Sequence, residues 1–188
     1  MDKIQSAIFR FEKKIDATWC KNLTKYMDLV CTKKANVLLD EGSKVLTKER
    51  DVWDYGLDND NKHDAVYIEY LHNVFNECIQ KYKETFSSIS PSMKYEGMNL
   101  LKYDTGHFYK CHIDEHNLFH RTISIILCLN DTYEGGELVF FNPTSKQPYS
   151  VCKLGEGDII LFPSNFLYPH AVAPIKKGTR YSVVVWVG

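Results

Sequence analysis

The chain has 188 residues, 44% of them apolar and 25% charged, which is ordinary for a soluble globular protein and enough for one substantial core. Its 23 Lys and Arg nearly cancel 24 Asp and Glu, and the balance holds locally: 11 against 11 through residue 60, 6 against 6 to residue 110, and 6 against 7 beyond. This leaves no basic arm for nucleic acid and no apolar run near the ~18 residues of a membrane span, while the opening MDKIQSAIFRFEKKIDATW breaks its apolar residues with charge and lacks a secretion signal. A single domain spanning 1–188 is expected, cytoplasmic or otherwise intracellular, with 1–90 as helical support and 91–188 as a β-core. The six cysteines form no C-x-x-C pair and sit in apolar or helical contexts, as suits reduced, buried thiols.

SAIFRF (6–11) alternates enough for an opening strand. Behind Asp16, a candidate N-cap, Trp19, Cys20, Leu23, Tyr26, Met27, Val30 and Cys31 recur at helical spacing. A second helix is predicted from His63 to Ser87 on the stripe Val66, Leu71, Phe75, Cys78 and Tyr82. Residues 40–62 between them read as an exposed polar loop with at most one short strand; a loop of that length is often functional, and this one is a candidate lid over bound substrate. After Ser90-Pro91 the texture turns to β-runs at 97–103, 108–114, 121–129, 137–141, 149–153, 158–162, 169–173 and 179–187. They are separated by turn signals such as Asp104-Thr105-Gly106, Gly135-Gly136 and Lys177-Gly178. About eight strands at this spacing fit a jelly roll, mainly β, with the two N-terminal helices packed on one sheet.

Of seven histidines, four crowd into residues 107–120. His112 and Asp114 stand two residues apart on a predicted strand, so period-two alternation points both to one face. His170, on a later strand, is available as a third ligand. Two imidazoles and one carboxylate form the facial triad of non-haem Fe(II) oxygenases with three positions open, whereas zinc more often recruits a further His, Glu or Cys. Arg180 lies on another strand-like run, Thr179–Trp186. A guanidinium pointing into a barrel needs an anion, and a dicarboxylate whose other end chelates the metal would suit it.

The ordered set His112-x-Asp114, His170, Arg180 resembles the 2-oxoglutarate- and Fe(II)-dependent oxygenases, specifically the prolyl 4-hydroxylase group. The likeness covers roughly 98–187, through LLKYDTGHFYKCHID, RTISIILCLND, EGGELVFF and GEGDIILFPSNFLYPHAVAPIKKGTRYSVVVWV. It implies a double-stranded β-helix in which His112, Asp114 and His170 hold Fe(II), while Arg180 and the Tyr103 hydroxyl hold the distal carboxylate of 2-oxoglutarate. Tyr109, Arg121 and Trp186 fall where the prolyl hydroxylases line the substrate pocket, although Arg121 could instead pair with Glu115. His107, His116 and His120 match no ligand position and are read as flanking or solvent-exposed. The implied reaction converts 2-oxoglutarate and O2 to succinate and CO2 while hydroxylating a prolyl residue of a protein or peptide, with ascorbate as the usual reductant. Hydroxylation of a free amino acid or small metabolite is the alternative, as is a catalytically silent jelly-roll binding module. A nucleic-acid demethylase fits less well, since that branch carries a second arginine where Trp186 stands and the even charge offers phosphate no basic surface.

Overall fold

The computed structural model describes residues 4–39, 42–90, 93–116 and 120–188. A 3-10 turn at Gln5–Ala7 leads into β1 (Phe9–Phe11), followed by α1 (Ala17–Val30), β2 (Lys33–Lys34), β3 (Val37–Leu39), β4 (Gly42–Lys44), β5 (Arg50–Asp51), β6 (Trp53–Gly56) and α2 (Lys62–Thr85). The C-terminal half supplies β7 (Tyr95–Tyr103), β8 (Phe108–His112), β9 (Ile123–Cys128), β10 (Glu134–Gly135), β11 (Leu138–Phe141), β12 (Pro148–Cys152), β13 (Ile159–Pro163), β14 (His170–Val172), β15 (Ile175–Lys177) and β16 (Arg180–Val187). A seven-stranded sheet runs β1-β13-β9-β16-β7-β6-β2, and a five-stranded sheet β12-β11-β14-β8-β5 faces it. All described pairings are antiparallel. The mainly β jelly roll with two helices packed on one sheet is thus the observed architecture.

Both helices start where their caps predict. The Asp16 carboxylate accepts the Trp19 N–H at 3.0 Å, and the Asn61 side chain accepts the His63 N–H at 2.9 Å. Each cap satisfies a donor the helix cannot use internally, worth about 1 kcal/mol. The apolar stripes then cover one face of the large sheet. Leu23, Met27, Leu71 and Phe75 pack with Ile123, Ile125, Leu127, Val183 and Val185, all essentially inaccessible to water. The intervening residues of the same strands, Ser124, Ile126, Cys128, Ser182 and Val184, turn to the opposite face. Period-two alternation therefore divides β9 and β16 into a hydrocarbon side and a side able to carry polar groups. Buried Asp64 fastens the helices to the sheet, accepting from the Tyr26 and Tyr55 hydroxyls at 2.5 and 2.9 Å and from the Asp58 N–H at 3.0 Å.

Several expectations need correction. From residue 95 onward there are ten described strands rather than eight, because β10 and β15 form a separate short pair. Segment 40–62 is not a loop with one short strand: β4, β5 and β6 lie within it, Val52 is fully buried, and β6 joins the large sheet. Strands of two to four residues with charged outward positions leave no apolar run in the sequence. The opening strand contracts to β1, preceded by the 3-10 turn. Four cysteines are buried and all six are free, but Cys111 is exposed, because on β8 it alternates with His112 and points away from the facing sheet. Gly135 and Gly136 do more than turn the chain. Both have positive φ, and a Cβ would lie 2.3 Å from the Pro174 carbonyl at Gly135 and 3.1 Å from Arg180 Cδ at Gly136.

Candidate metal centre and adjoining cavity

His112 ends β8 and His170 begins β14, and the two residues are direct partners in the antiparallel register. This pairing brings together imidazoles 58 positions apart in the sequence. Asp114 lies just beyond the end of β8, not on the strand as the sequence suggested, and the bend there carries its carboxylate between the rings. His112 Nε2 is 3.6 Å from Asp114 Oδ1, His170 Nε2 is 3.5 Å from Oδ2, and the three potential ligand atoms lie within 4.8 Å of one another.

The surroundings fix the chemical state of this cluster. His112 Nδ1 faces the Lys110 carbonyl at 2.8 Å and His170 Nδ1 faces the Tyr168 carbonyl at 3.1 Å. A carbonyl only accepts, so each Nδ1 carries a proton and Nε2 is the nitrogen turned to the centre. Burial, followed by the neighbouring His112, lowers the His170 pKa to about 4, which keeps that ring neutral at physiological pH. Burial works against the Asp114 charge, but the two imidazoles and the Ser124 hydroxyl outweigh it and hold the carboxyl below its usual range. Ser124 Oγ donates to Asp114 Oδ2 at 2.6 Å and is itself 2.8 Å from Ser164 Oγ. The neutral His170 ring and the ionised Asp114 carboxylate are in the protonation states a divalent metal needs.

A cavity of about 400 Å³ opens from this cluster, lined by His112, Asp114 and His170 and also by Tyr103, Tyr109, Arg121, Arg180 and Trp186. Arg180 pairs with Tyr103 in the β16–β7 register and is 2% exposed. Its Nη1 donates to Ser182 Oγ at 2.8 Å, Cζ lies 5.3 Å from the Tyr103 ring, and Nε is buried without a partner. Burial opposes its charge, and Tyr133, Cys128 and Tyr103 outweigh that penalty and raise its pKa. No carboxylate among the described residues forms an ion pair with it. An unpaired buried guanidinium costs several kcal/mol, and an anion entering the cavity would remove that cost.

The remaining predicted residues are also brought together, with different partners from those expected. Tyr109 stacks on His112, centroids 3.5 Å apart, and burial raises its pKa to about 12. Arg121 does not pair with Glu115. Its Nε lies 3.0 Å from both Glu96 carboxylate oxygens, its Nη2 also donates to Glu96, and its Nη1 donates to the Asp114 carbonyl at 3.0 Å. Its Cζ sits 3.9 Å from the centre of the Trp186 ring, within cation–π range. His120 is exposed, whereas His107 is largely enclosed against Lys34, Asp51 and Trp53. Glu96, Ser124, Ser182 and Tyr133 were missed. Ser182 alone carried a sequence signal, its parity with Arg180 and Trp186 on β16; Glu96 lies beyond the register shift in the β7–β16 pairing, and Tyr133 precedes β10 outside the strands.

A jelly roll with a two-histidine, one-carboxylate cluster facing a buried arginine defines the class of mononuclear-metal oxygenase cores. Residues 98–188 match the 2OG-Fe(II) oxygenase superfamily. It is 36% identical over 90 residues to a PKHD-type hydroxylase of Idiomarina loihiensis, covering 46% of this chain and 39% of that protein. It is 30% identical over 161 residues to one of Prochlorococcus marinus, covering 82% and 59%. The chain thus spans well under two thirds of the length of these curated relatives. Among solved structures, a Trichoplax adhaerens prolyl hydroxylase in complex with a hypoxia inducible factor peptide superimposes with TM-score 0.77 at 19% identity, covering 96% of this chain and 83% of that one. A Pseudomonas putida prolyl-4-hydroxylase gives TM-score 0.70 at 17% identity, covering 96% and 91%. These structural likenesses establish the fold. No helix among the described residues is long and apolar enough to cross a membrane.

Proposed function

We propose that the chain is an Fe(II)- and 2-oxoglutarate-dependent dioxygenase that hydroxylates a prolyl residue in a protein or peptide. The observation that carries this reading is Arg180, a buried cation with no carboxylate partner, lining the same cavity as three converging metal-ligand atoms. A dicarboxylate that chelates the metal at one end and meets a guanidinium at the other satisfies both halves. The names of the hydroxylase relatives and the prolyl hydroxylase fold support the same substrate kind. We further read the enzyme as intracellular, in keeping with its six free thiols.

In this assignment His112 and His170 present Nε2 to Fe(II) and Asp114 supplies an oxygen, with Ser124 holding the carboxylate in place. The iron, once bound, supplies the chemistry that converts O2 and 2-oxoglutarate to succinate and CO2 and hydroxylates a C–H bond. Arg180 binds the distal carboxylate through its planar fork, and the neutral Tyr103 hydroxyl donates to the same group. Tyr103 stays protonated because burial raises its pKa. Tyr109 and Trp186 shape the substrate pocket, and Arg121, held by Glu96, fixes the indole. Within 40–62, the described part able to act as a lid is β4 with residues 45–49, since β5 and β6 are built into the sheets. The test is to supply purified protein with Fe(II), ascorbate and 2-oxoglutarate. Succinate should form, and a proline-containing peptide should gain one oxygen atom by mass spectrometry. Absence of succinate despite tight iron binding would favour a silent binding module.

A further inference from the structure

Residues 50–54 cross from the edge of the small sheet, where β5 pairs with β8, to the large sheet, where β6 pairs with β7. This crossing places two opposite charges on the cavity wall, Arg50 and Asp54, separated in the chain by three residues. They do not form an ion pair with each other. Arg50 Nη1 donates to the Asn36 carbonyl at 2.9 Å, its Nε is buried without an acceptor, and its Nη2 bonds to no described residue. Asp54 accepts from Asn99 Nδ2 at 3.1 and 3.4 Å and from no cationic side chain among the described residues. Asp54 is held by Asn99 and the Tyr55 main chain and Arg50 by the Asn36 carbonyl, so the two charges act on each other only at a distance and neither has an opposite charge within ion-pair reach among the described residues.

Among the other charged groups on this wall, Arg121 is engaged by Glu96, Asp114 belongs to the metal cluster, Arg180 lies deep beside Ser182 and Tyr103, and Glu115 follows Asp114 with no side-chain partner among the described residues. Arg50 is also near the reacting centre: its Cζ lies 4.8 Å over the Tyr109 ring, which stacks on His112 at 3.5 Å. Two partly enclosed charges of opposite sign, held apart by their own hydrogen bonds, match a ligand that carries both signs.

We propose that Arg50 and Asp54 bind a dipolar part of the substrate, Arg50 taking a carboxylate and Asp54 an ammonium or guanidinium group. The inference deepens, and rests on, the hydroxylase reading above. The dipole has two possible sources: the α-ammonium and α-carboxylate of a free amino acid, or acidic and basic side chains flanking the target residue of a peptide.

Two probe pairs separate these sources. One is free L-proline against N-acetyl-L-prolinamide; the other is the blocked tripeptide Glu-Pro-Lys against Gln-Pro-Gln. Binding is measured by calorimetry on protein loaded with Mn(II) and the inert analogue N-oxalylglycine, and hydroxylation by mass spectrometry on the iron-loaded enzyme. The charged member of one pair should bind about tenfold or more tightly than its neutral counterpart. Arg50→Gln and Asp54→Asn should each abolish most of that preference, and Arg50→Lys and Asp54→Glu, which keep the charges, should restore much of it. Equal affinity within both pairs overturns the proposal, as does a preference that survives both neutral variants. If no probe is hydroxylated while the binding preference holds, the prolyl reading fails and the dipolar site stands.

Discussion

The two faces of the large sheet are made by the same strands and obey opposite rules. On the helix side, Ile123, Ile125, Leu127, Val183 and Val185 meet Leu71 and Phe75 with nothing but hydrocarbon. On the cavity side, one position away along β9 and β16, stand Ser124, Arg180, Ser182 and Trp186, and the Arg180 Nε and the Trp186 Nε1 are buried without partners. The first face lowers the free energy of folding by removing apolar area from water. The second retains polar groups that folding leaves unsatisfied, which is tolerable only because the first face is so thoroughly packed. Stability and chemistry are thereby assigned to alternate residues of one strand.

Substitutions on the two faces should separate accordingly. The largest effect is expected at the metal cluster, where His112→Ala should reduce succinate formation at least about a hundredfold. Its melting temperature in metal-free buffer should stay near that of the wild type; a collapse of the fold would mean that His112 is chiefly structural. On the opposite face, Phe75→Ala should cost about 3–5 kcal/mol in urea unfolding, because the ring is fully buried and leaves a cavity. The apparent KM for 2-oxoglutarate, measured below the unfolding transition, should not change. Arg180→Met offers a finer test. Removing a buried unpaired charge in favour of an apolar chain of similar length should stabilise the metal-free protein by about 1–4 kcal/mol while abolishing saturable 2-oxoglutarate turnover. A destabilised Arg180→Met protein would show that Ser182 and Tyr133 already satisfy the guanidinium.

The comparison also explains what the sequence made legible. The helix-side face was readable because burial on one side leaves a periodic apolar signal, and both helices appear within a few residues of their expected limits. His112, Asp114, His170 and Arg180 were readable because their chemistry is rare and their order characteristic. The contacts of Arg121 were not, since Glu96 lies 25 positions upstream and meets it only because β16 pairs with both β7 and β9, setting Trp186 opposite Glu96 on one side and Ser124 on the other. Arg50 and Asp54 escaped for a related reason: in a charged segment they resemble solvated residues, and only the crossing between sheets turns them to the cavity. Asp114 illustrates a milder error. Strand parity placed it on the same face as His112, whereas a bend after β8 does so.

The smallest expected effect contrasts two buried carboxylates, one beside the cavity and one remote from it. Asp158 accepts from Arg10 Nε at 3.1 Å and Nη2 at 2.5 Å, from the Lys13 N–H at 3.0 Å and from the Gly155 N–H at 2.7 Å. Burial pushes its pKa upward, but the two main-chain donors and Arg10 outweigh burial and hold it below the ordinary 3.8. A carboxyl whose folded pKa is depressed stabilises the fold above its unfolded pKa, and that contribution is lost as pH falls through the folded value. Urea stability should therefore decline below about pH 4. Asp114, also depressed, adds to the same decline in metal-free protein. Asp158→Asn should remove only its own share, giving a shallower slope with the metal cluster intact, whereas an unchanged slope would assign the whole acid sensitivity to the cavity side. Bound metal should then distinguish the two groups again, because it competes with protons for Asp114 and leaves Asp158 untouched.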